Sequence, residues 1–207
     1  SDGIKGTDDA RVGPVRLVGQ GLAAAPAVKR AAIASFGVGA VAGLALVAVS
    51  GMWWLIPVGI ACIAAGWLYT GGPRPYGYAG LGEVFVFVFF GLVAVTGTAA
   101  TQIGSIPLVA VVASVPVGLW ACAILVVNNL RDIPTDTESG KNTLAVRLGD
   151  RRTRVLFVVI VVSGFVTVVA MTTYTPWVLL ALLGIPPGIR PIRTVADLLK
   201  CDGTLDF

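Results

Sequence analysis

Carboxylates, amides and cations are concentrated in one short segment that follows a long apolar run. Asp132 and Asp136 are four residues apart, and Asn128 precedes Asp132 by the same interval. On a continuous helix this spacing would place the three side chains on one face. Pro134 lacks an N–H and crowds the preceding turn, so we expect the helix to end near Asp132. Asp136 on a following loop would still bring a second carboxylate towards the first.

Binding of Mg²⁺ together with a phosphate group is the chemistry that these residue types suggest. Mg²⁺ is usually held by one or two carboxylates, with water and substrate phosphates completing its shell. Arg131, Lys141 and Arg147 lie in the same segment and would neutralise phosphate oxygens. The alternative is a solvated, charged loop between two membrane helices, and the spacing alone favours neither interpretation.

A second acidic cluster, rich in glycine, occupies the first residues of the chain. It contains Asp2 and Asp8, with Lys5 between them and Arg16 further on. Two acidic clusters on one membrane face could clamp a diphosphate from opposite sides through bridging Mg²⁺. The alternative is a flexible tail without a role in chemistry.

The composition and the apolar runs predict a membrane protein. Of 207 residues, 56% are hydrophobic and 13% are charged, and the mean hydropathy is +0.88. Soluble domains usually carry about 25% charged residues. Most of the runs reach the roughly 17–25 residues with which a helix crosses the hydrocarbon core. We predict an all-α, polytopic helical bundle that forms a single membrane domain over residues 1–207. Its six predicted spans are residues 31–50, 52–70, 81–100, 106–129, 153–172 and 175–189.

The distribution of charge predicts the orientation of these spans. All fifteen Lys and Arg residues lie before the first span, between the second and third, between the fourth and fifth, or after the sixth. With six spans these four segments share one side, and the positive-inside rule makes it cytoplasmic. The net charge of +4 therefore orients the protein and requires no nucleic-acid partner. The polar, acidic start of the chain is not typical of a cleavable signal peptide.

The loop before the third span combines prolines and glycines with two tyrosines and an acid. Tyr76, Tyr78 and Glu83 could form part of a pocket for an aromatic acceptor. Alternatively, the tyrosines are interfacial anchors and Glu83 is a favourable charge at a helix N-terminus. Four phenylalanines in the run that follows could face lipid or line a channel for an isoprenoid tail.

Three regions of the chain, in order, resemble the UbiA superfamily of membrane prenyltransferases, and most closely its menaquinone branch. The segment from Asn128-Asn129-Leu130-Arg131-Asp132 through Asp136 to Gly140-Lys141-Asn142-Thr143 and Arg147 is similar to the second aspartate-rich motif. The segment from Asp2 to Asp8 is similar to the latter part of the first motif. A third region matches at Tyr76-Gly77-Tyr78-Ala79-Gly80-Leu81-Gly82-Glu83.

The chain also departs from the family pattern. The first motif of the family opens with an Asn-Asp pair, which would precede Ser1. The family has nine transmembrane helices, and the six predicted here correspond to the third through the eighth. We therefore expect the chain to be a fragment that lacks the first two helices and the last.

The resemblance implies transfer of a polyprenyl group from polyprenyl diphosphate to 1,4-dihydroxy-2-naphthoate, with loss of the carboxylate and release of diphosphate, at the cytoplasmic face of a bacterial plasma membrane. Asp132, Asp136 and Lys141 would be catalytic. The implied Mg²⁺ ligands are Asp2, Asp8, Asp132 and Asp136. The implied substrate-binding residues are Lys5, Arg16, Tyr76, Tyr78, Glu83, Asn128, Asn129, Arg131 and Arg147.

Two alternatives remain open at this stage. A related prenyltransferase would use another acceptor, such as 4-hydroxybenzoate, homogentisate or haem. A small-solute transporter would need polar groups near the bilayer midplane, whereas the charged residues of this chain lie outside the apolar runs or at their ends.

Overall fold

The computed structural model describes residues 17–18 and 21–197, and within these ranges every regular element is helical. The predicted all-α class is thereby confirmed. Four predicted site residues, Asp2, Lys5, Asp8 and Arg16, lie outside the described residues.

Eight α-helices and three 3₁₀ segments follow one another in the described part of the chain. The α-helices are α1 (Ala25–Ser50), α2 (Leu55–Leu68), α3 (Gly82–Ile103), α4 (Leu108–Arg131), α5 (Ile133–Glu138), α6 (Leu144–Leu148), α7 (Asp150–Ala170) and α8 (Ile185–Asp197). The 3₁₀ segments are Tyr76–Ala79, Met171–Thr173 and Pro176–Gly184.

Among the described residues, five helical stretches are long and apolar enough to cross a membrane, in agreement with the predicted polytopic bundle. They are Ala25–Ser50, Gly82–Ile103, Leu108–Arg131, Asp150–Thr173 and Pro176–Ala196. The second predicted span, residues 52–70, contains only the 14-residue helix α2. The grouping of all spans into a single membrane domain stays a prediction.

The second span is short because the chain turns sharply after α1. Gly51 has a φ of 69°, a left-handed conformation that glycine adopts without steric cost, and its N–H donates to the carbonyl of Val47. Residues 52–54 then form a turn, so that α2 begins at Leu55. The apolar pattern of the predicted span did not indicate that the helix begins at Leu55 rather than at residue 52.

The last span is longer than predicted, because two prolines lie where helix geometry accepts them. The 3₁₀ segment Pro176–Gly184 passes directly into α8 at Ile185. Pro186 and Pro187 therefore lie in the first turn of α8, where backbone N–H groups have no partner within the helix. The helical stretch continues to Ala196 rather than ending at residue 189.

The core of the described residues lies between α4 and α7, with one contribution from α8. Its buried members are Ala123, Val126, Leu130, Phe157 and Val195. This packing fixes the end of α4, and therefore the position of the aspartate-containing segment that follows it.

Helices α3 and α4 cross at two glycines that allow their backbones to meet. A methyl group on Gly91 would lie 2.6 Å from the Cα of Gly118 and 2.9 Å from the carbonyl oxygen of Ser114. Gly91 belongs to a π-helical turn, Phe87–Val93, within α3. Turns of this kind are often found at functional sites. The phenylalanines consequently point in different directions: Phe87 lies against Gly118, whereas Phe90 is 64% exposed.

We expect Gly91→Ala to destabilise the protein by about 1–3 kcal/mol, because the added methyl group forces the α3 and α4 backbones apart. Thermal unfolding in detergent measures the change. Gly97→Ala is the matched control, since a methyl group there meets nothing within 4 Å. Equal unfolding temperatures for the two variants would contradict the close crossing.

Candidate active site

The first aspartate of the candidate site caps the end of α4. The helix ends at Arg131, as Pro134 predicts, and Asp132 follows as its C-cap residue. The Asp132 carboxylate is 2% exposed and accepts two hydrogen bonds from Arg131, from Nε at 2.9 Å and from Nη2 at 3.1 Å. A buried carboxylate requires such pairing, because burial without it is costly.

The second aspartate lies on a short helix rather than on the predicted loop. Pro134 lies in the first turn of α5, where its missing N–H has no consequence, and Asp136 follows in the same turn. The Asp136 N–H donates to the carbonyl of Asp132 at 2.8 Å, so the two aspartates are one helical turn apart. Asp136 is 3% exposed.

Lys141 forms an ion pair with Asp136. Its Nζ lies 3.5 Å from Asp136 Oδ1, and its backbone N–H donates to the Asp136 carbonyl at 2.8 Å. The same Nζ lies 5.0 Å from the centre of the Tyr78 ring, a cation–π distance. Lys141 is only 5% exposed. A buried ammonium held between a carboxylate and an aromatic face is a strong local source of positive charge.

The loop before α3 is attached to this segment by its backbone. Asn142 N–H donates to the carbonyl of Tyr78 at 3.0 Å, and Arg147 Nη2 donates to the carbonyl of Ala79 at 2.9 Å. A side chain on Gly80, whose φ is 70°, would meet both Asn142 and Arg147. Arg147 is itself exposed. Two sequence regions that are more than sixty residues apart therefore form one surface.

Tyr76 is held differently from Tyr78. Its hydroxyl donates to the carbonyl of Ala65 in α2 at 2.8 Å, and its ring stacks on Phe85 with the centroids 3.9 Å apart. Partial burial raises the pKa of the Tyr76 hydroxyl above its ordinary value. These contacts anchor the loop to α2 and α3, and the role of Tyr76 in substrate binding stays a prediction.

Glu83 and Asn129 meet between α3 and α4. Asn129 Nδ2 donates to Glu83 Oε1 at 3.0 Å, and both side chains are 8% exposed. The Cys122 thiol donates to the backbone carbonyl of Glu83 at 3.1 Å. Asn128, the neighbour of Asn129, accepts a hydrogen bond from the Asp132 N–H through its backbone carbonyl. These contacts join the start of α3 to the last turns of α4.

The structure thus brings most of the predicted residues of the described region to one end of the bundle. Two residues that position the others were not predicted: Gly80, which leaves room for Arg147, and Thr143. The buried Thr143 side chain caps α6 by accepting from the Val146 N–H at 3.4 Å. The threonine before an apolar run was the available signal for this cap.

The donor set of the segment suits Mg²⁺ in the manner usual for phosphate-binding sites. Asp132 and Asp136 offer two buried carboxylates one turn apart, and substrate phosphates commonly supply the remaining ligands. Within residues 17–18 and 21–197 no group of three or more His, Cys, Asp or Glu side chains could hold a metal ion by itself.

The long apolar helices define a multi-pass membrane protein, and a charged, largely buried cluster lies at the end of α4. The chain belongs to the UbiA prenyltransferase family, whose model matches residues 11–196. It is a prenyltransferase of that family.

Relatives of known activity are similar over most of the chain. It is 54% identical over 198 residues to a 1,4-dihydroxy-2-naphthoate octaprenyltransferase of Mycobacterium tuberculosis, covering 94% of this chain and 67% of the relative. The Escherichia coli protein of the same name is 37% identical, covering 94% of the chain and 66% of the relative. UbiA prenyltransferase domain-containing protein 1 of Gallus gallus is 35% identical over 125 residues, covering 60% of the chain and 37% of the relative. The chain spans about two thirds of the length of the bacterial relatives. No solved structure matches it.

Proposed function

We propose that the protein transfers a polyprenyl group from polyprenyl diphosphate to 1,4-dihydroxy-2-naphthoate in menaquinone biosynthesis, with release of diphosphate and CO₂. The similarity to the bacterial octaprenyltransferases supports this reaction. The single structural observation that carries it is the cluster formed by Asp132, Asp136 and Lys141, three almost fully buried charged side chains at the end of an apolar bundle.

Charge separation explains why a prenyl transfer needs such a cluster. Breaking the allylic C–O bond leaves negative charge on the diphosphate and positive charge on the prenyl carbon. Fixed cations around the diphosphate stabilise the developing negative charge. Lys141 is buried and preorganised, whereas Arg131 and Arg147 are more exposed and can reach phosphate oxygens from the surface.

Asp132 and Asp136 would hold Mg²⁺, and Asp2 and Asp8, which lie outside the described residues, would complete its protein ligands. The ion would supply Lewis-acid stabilisation of the diphosphate leaving group. Lys5 and Arg16 would add positive charge from the same segment. Mg²⁺ dependence is part of the proposal.

The loop before α3 would contribute to the acceptor site. The Tyr78 ring lies beside Lys141, and Tyr76 with Phe85 and Phe89 forms an aromatic stack that leads from the loop into α3. An apolar prenyl chain can lie along such a stack and reach the bilayer. Glu83, Asn128 and Asn129 would bind the polar edge of the acceptor. We place this site at the cytoplasmic face of the bacterial plasma membrane, on the basis of the charge distribution.

An acceptor competition assay tests the proposal. Membranes that contain the full-length protein receive polyprenyl diphosphate with equal concentrations of 1,4-dihydroxy-2-naphthoate, 4-hydroxybenzoate and homogentisate, and mass spectrometry identifies the products. We expect the decarboxylated prenyl naphthoquinol to dominate, and its formation to stop when EDTA removes divalent ions and to return with Mg²⁺. Preferential prenylation of another acceptor would contradict the proposed substrate. Undiminished turnover in EDTA would contradict the proposed Mg²⁺ dependence.

A further inference from the structure

One carboxylate oxygen in the bundle is buried without a partner. Glu83 Oε1 accepts from Asn129, but Oε2 has no hydrogen-bond partner among the described residues. The whole residue is 8% exposed. Buried polar atoms are nearly always paired, because an unpaired one loses its hydration without compensation. A group that supplies a donor to Oε2 would remove this cost.

The position of Glu83 relates it to the diphosphate end of the site. Its partner Asn129 precedes Asp132 by three residues on α4, so the two lie on the same face of the helix, about 4.5 Å apart along its axis. Asn129 is on the bilayer side of Asp132, because α4 runs from the apolar bundle towards the charged segment. Glu83 therefore lies roughly one turn deeper in the bundle than Asp132.

The favourable interaction of an acid with a helix N-terminus does not account for this arrangement. That interaction operates at exposed positions as well. It requires neither burial nor a specific hydrogen bond from Asn129. The acidic side chain is buried even though the neighbouring Val84 is 58% exposed, so the sequence directs the polar residue inward and the apolar residue outward.

We propose that Glu83 Oε2 accepts a hydrogen bond from a ring hydroxyl of the aromatic acceptor and thereby sets the orientation of the ring. This inference rests on the proposed function. The acceptor carries two hydroxyls, of which the one next to the carboxylate is occupied by an internal hydrogen bond. The hydroxyl at position 4 is free to donate, and it is the one assigned to Glu83.

Electrostatics selects the same orientation. The acceptor carboxylate is repelled by Glu83 and attracted by Lys141 and by Arg131, which lies beside Asp132. With the carboxylate towards these cations and the 4-hydroxyl towards Glu83, the ring carbon that bears the carboxylate faces the diphosphate end, where the prenyl carbon is released. A hydrogen bond from the hydroxyl to a carboxylate also increases electron density in the ring, which favours attack on the prenyl cation. Because Oε2 is buried, binding of the acceptor requires a local rearrangement that exposes it.

The test compares two positional isomers as binding probes. 4-Hydroxy-2-naphthoate and 1-hydroxy-2-naphthoate have the same charge and size, and each has one hydroxyl. Equilibrium binding to the detergent-solubilised full-length protein, followed by naphthoate fluorescence, is expected to favour the 4-hydroxy isomer by about 10-fold or more, the usual range for a buried hydrogen bond to a charged group. Equal affinities would overturn the assignment.

Glu83→Gln replaces the Oε2 acceptor by an N–H donor while preserving the acceptor for Asn129, and it is expected to abolish the preference. Glu83→Met introduces an apolar side chain of similar volume and should have the same effect. It provides the test if the glutamine variant does not insert into the membrane. Cys122→Ala is the matched control, because the Cys122 thiol donates to the backbone carbonyl of Glu83 and not to its Oε2, and it should retain the preference. An equal loss of affinity for both isomers in the Glu83 variants would indicate a purely structural role and overturn the proposal.

Steady-state kinetics separates this inference from the proposed function. We expect Glu83→Gln to raise the KM for 1,4-dihydroxy-2-naphthoate about 10-fold or more and to leave the KM for polyprenyl diphosphate unchanged. If the wild-type protein prenylates the naphthoate but Glu83→Gln keeps the isomer preference, the role of Glu83 is wrong and the function stands. If the wild-type protein does not prenylate the naphthoate, both the proposed function and the role of Glu83 are contradicted.

Discussion

Asp132→Ala and Asp136→Ala are each expected to lower kcat for prenyl transfer by about 10²–10³-fold, the loss typical when one preorganised electrostatic group is removed from a site. Both carboxylates are almost completely buried at the end of α4, one helical turn apart. Removing either would leave fewer carboxylates to bind the metal and would remove one ion pair with a neighbouring cation. The measurement is single-turnover formation of prenylated naphthoquinol at saturating concentrations of both substrates.

A third carboxylate provides the control for this prediction. Glu138 belongs to the same short helix as Asp136 but is exposed. We expect Glu138→Ala to retain activity within about threefold, because an exposed charge contributes little. Membrane insertion and unfolding temperature should be compared for all three variants. Wild-type rates in well-folded Asp132→Ala and Asp136→Ala proteins would remove these residues from the site.

Lys141→Met should lower kcat/KM for polyprenyl diphosphate by about 10²-fold, since it removes a buried cation from the site of developing negative charge. The ammonium lies 3.5 Å from the Asp136 carboxylate and 5.0 Å from the centre of the Tyr78 ring. A phosphate oxygen would offer this ammonium the same kind of anionic partner as the carboxylate. Inhibition by free pyrophosphate should weaken in parallel, which gives a second measurement that is independent of the acceptor.

The control for Lys141 is a basic residue at the same end of the bundle that is exposed. Arg152, in the first turn of α7, fulfils this condition. We expect Arg152→Met to keep kcat/KM and pyrophosphate inhibition close to wild-type values. Similar losses in both variants would show that total charge, rather than the buried position of Lys141, governs diphosphate binding.

Much of the fold could be predicted from the sequence because its main signals are local. Long apolar runs predict spanning helices by length alone, and Pro134 correctly predicts the end of α4 near Asp132. The same reasoning failed at α2, where the left-handed turn at Gly51 and residues 52–54 shorten the helix. It also placed Asp136 on a loop, although a proline in a first turn can begin a new helix.

The contacts that build the site could not be predicted from local sequence patterns, because they join residues that are distant in the sequence. Glu83 meets Asn129 forty-six residues later, and Arg147 meets the carbonyl of Ala79 sixty-eight residues earlier. The sequence suggests that Glu83, Asn129 and Arg147 are polar and close to the membrane surface. The pairing of Glu83 with Asn129 follows from how α3 packs on α4, where Gly91 closely approaches Gly118.

Binding of pyrophosphate to the detergent-solubilised, full-length protein tests the central claim most directly, because it isolates the charged cluster from the chemistry of transfer. Isothermal titration calorimetry with and without Mg²⁺ should be performed on the wild-type protein and on the double variant Asp132→Asn, Asp136→Asn. We predict Mg²⁺-dependent binding by the wild-type protein and its loss in the double variant, with the unfolding temperature of the variant recorded as a check on its fold. Equally tight, Mg²⁺-dependent binding by both proteins would contradict a diphosphate site built on these two aspartates.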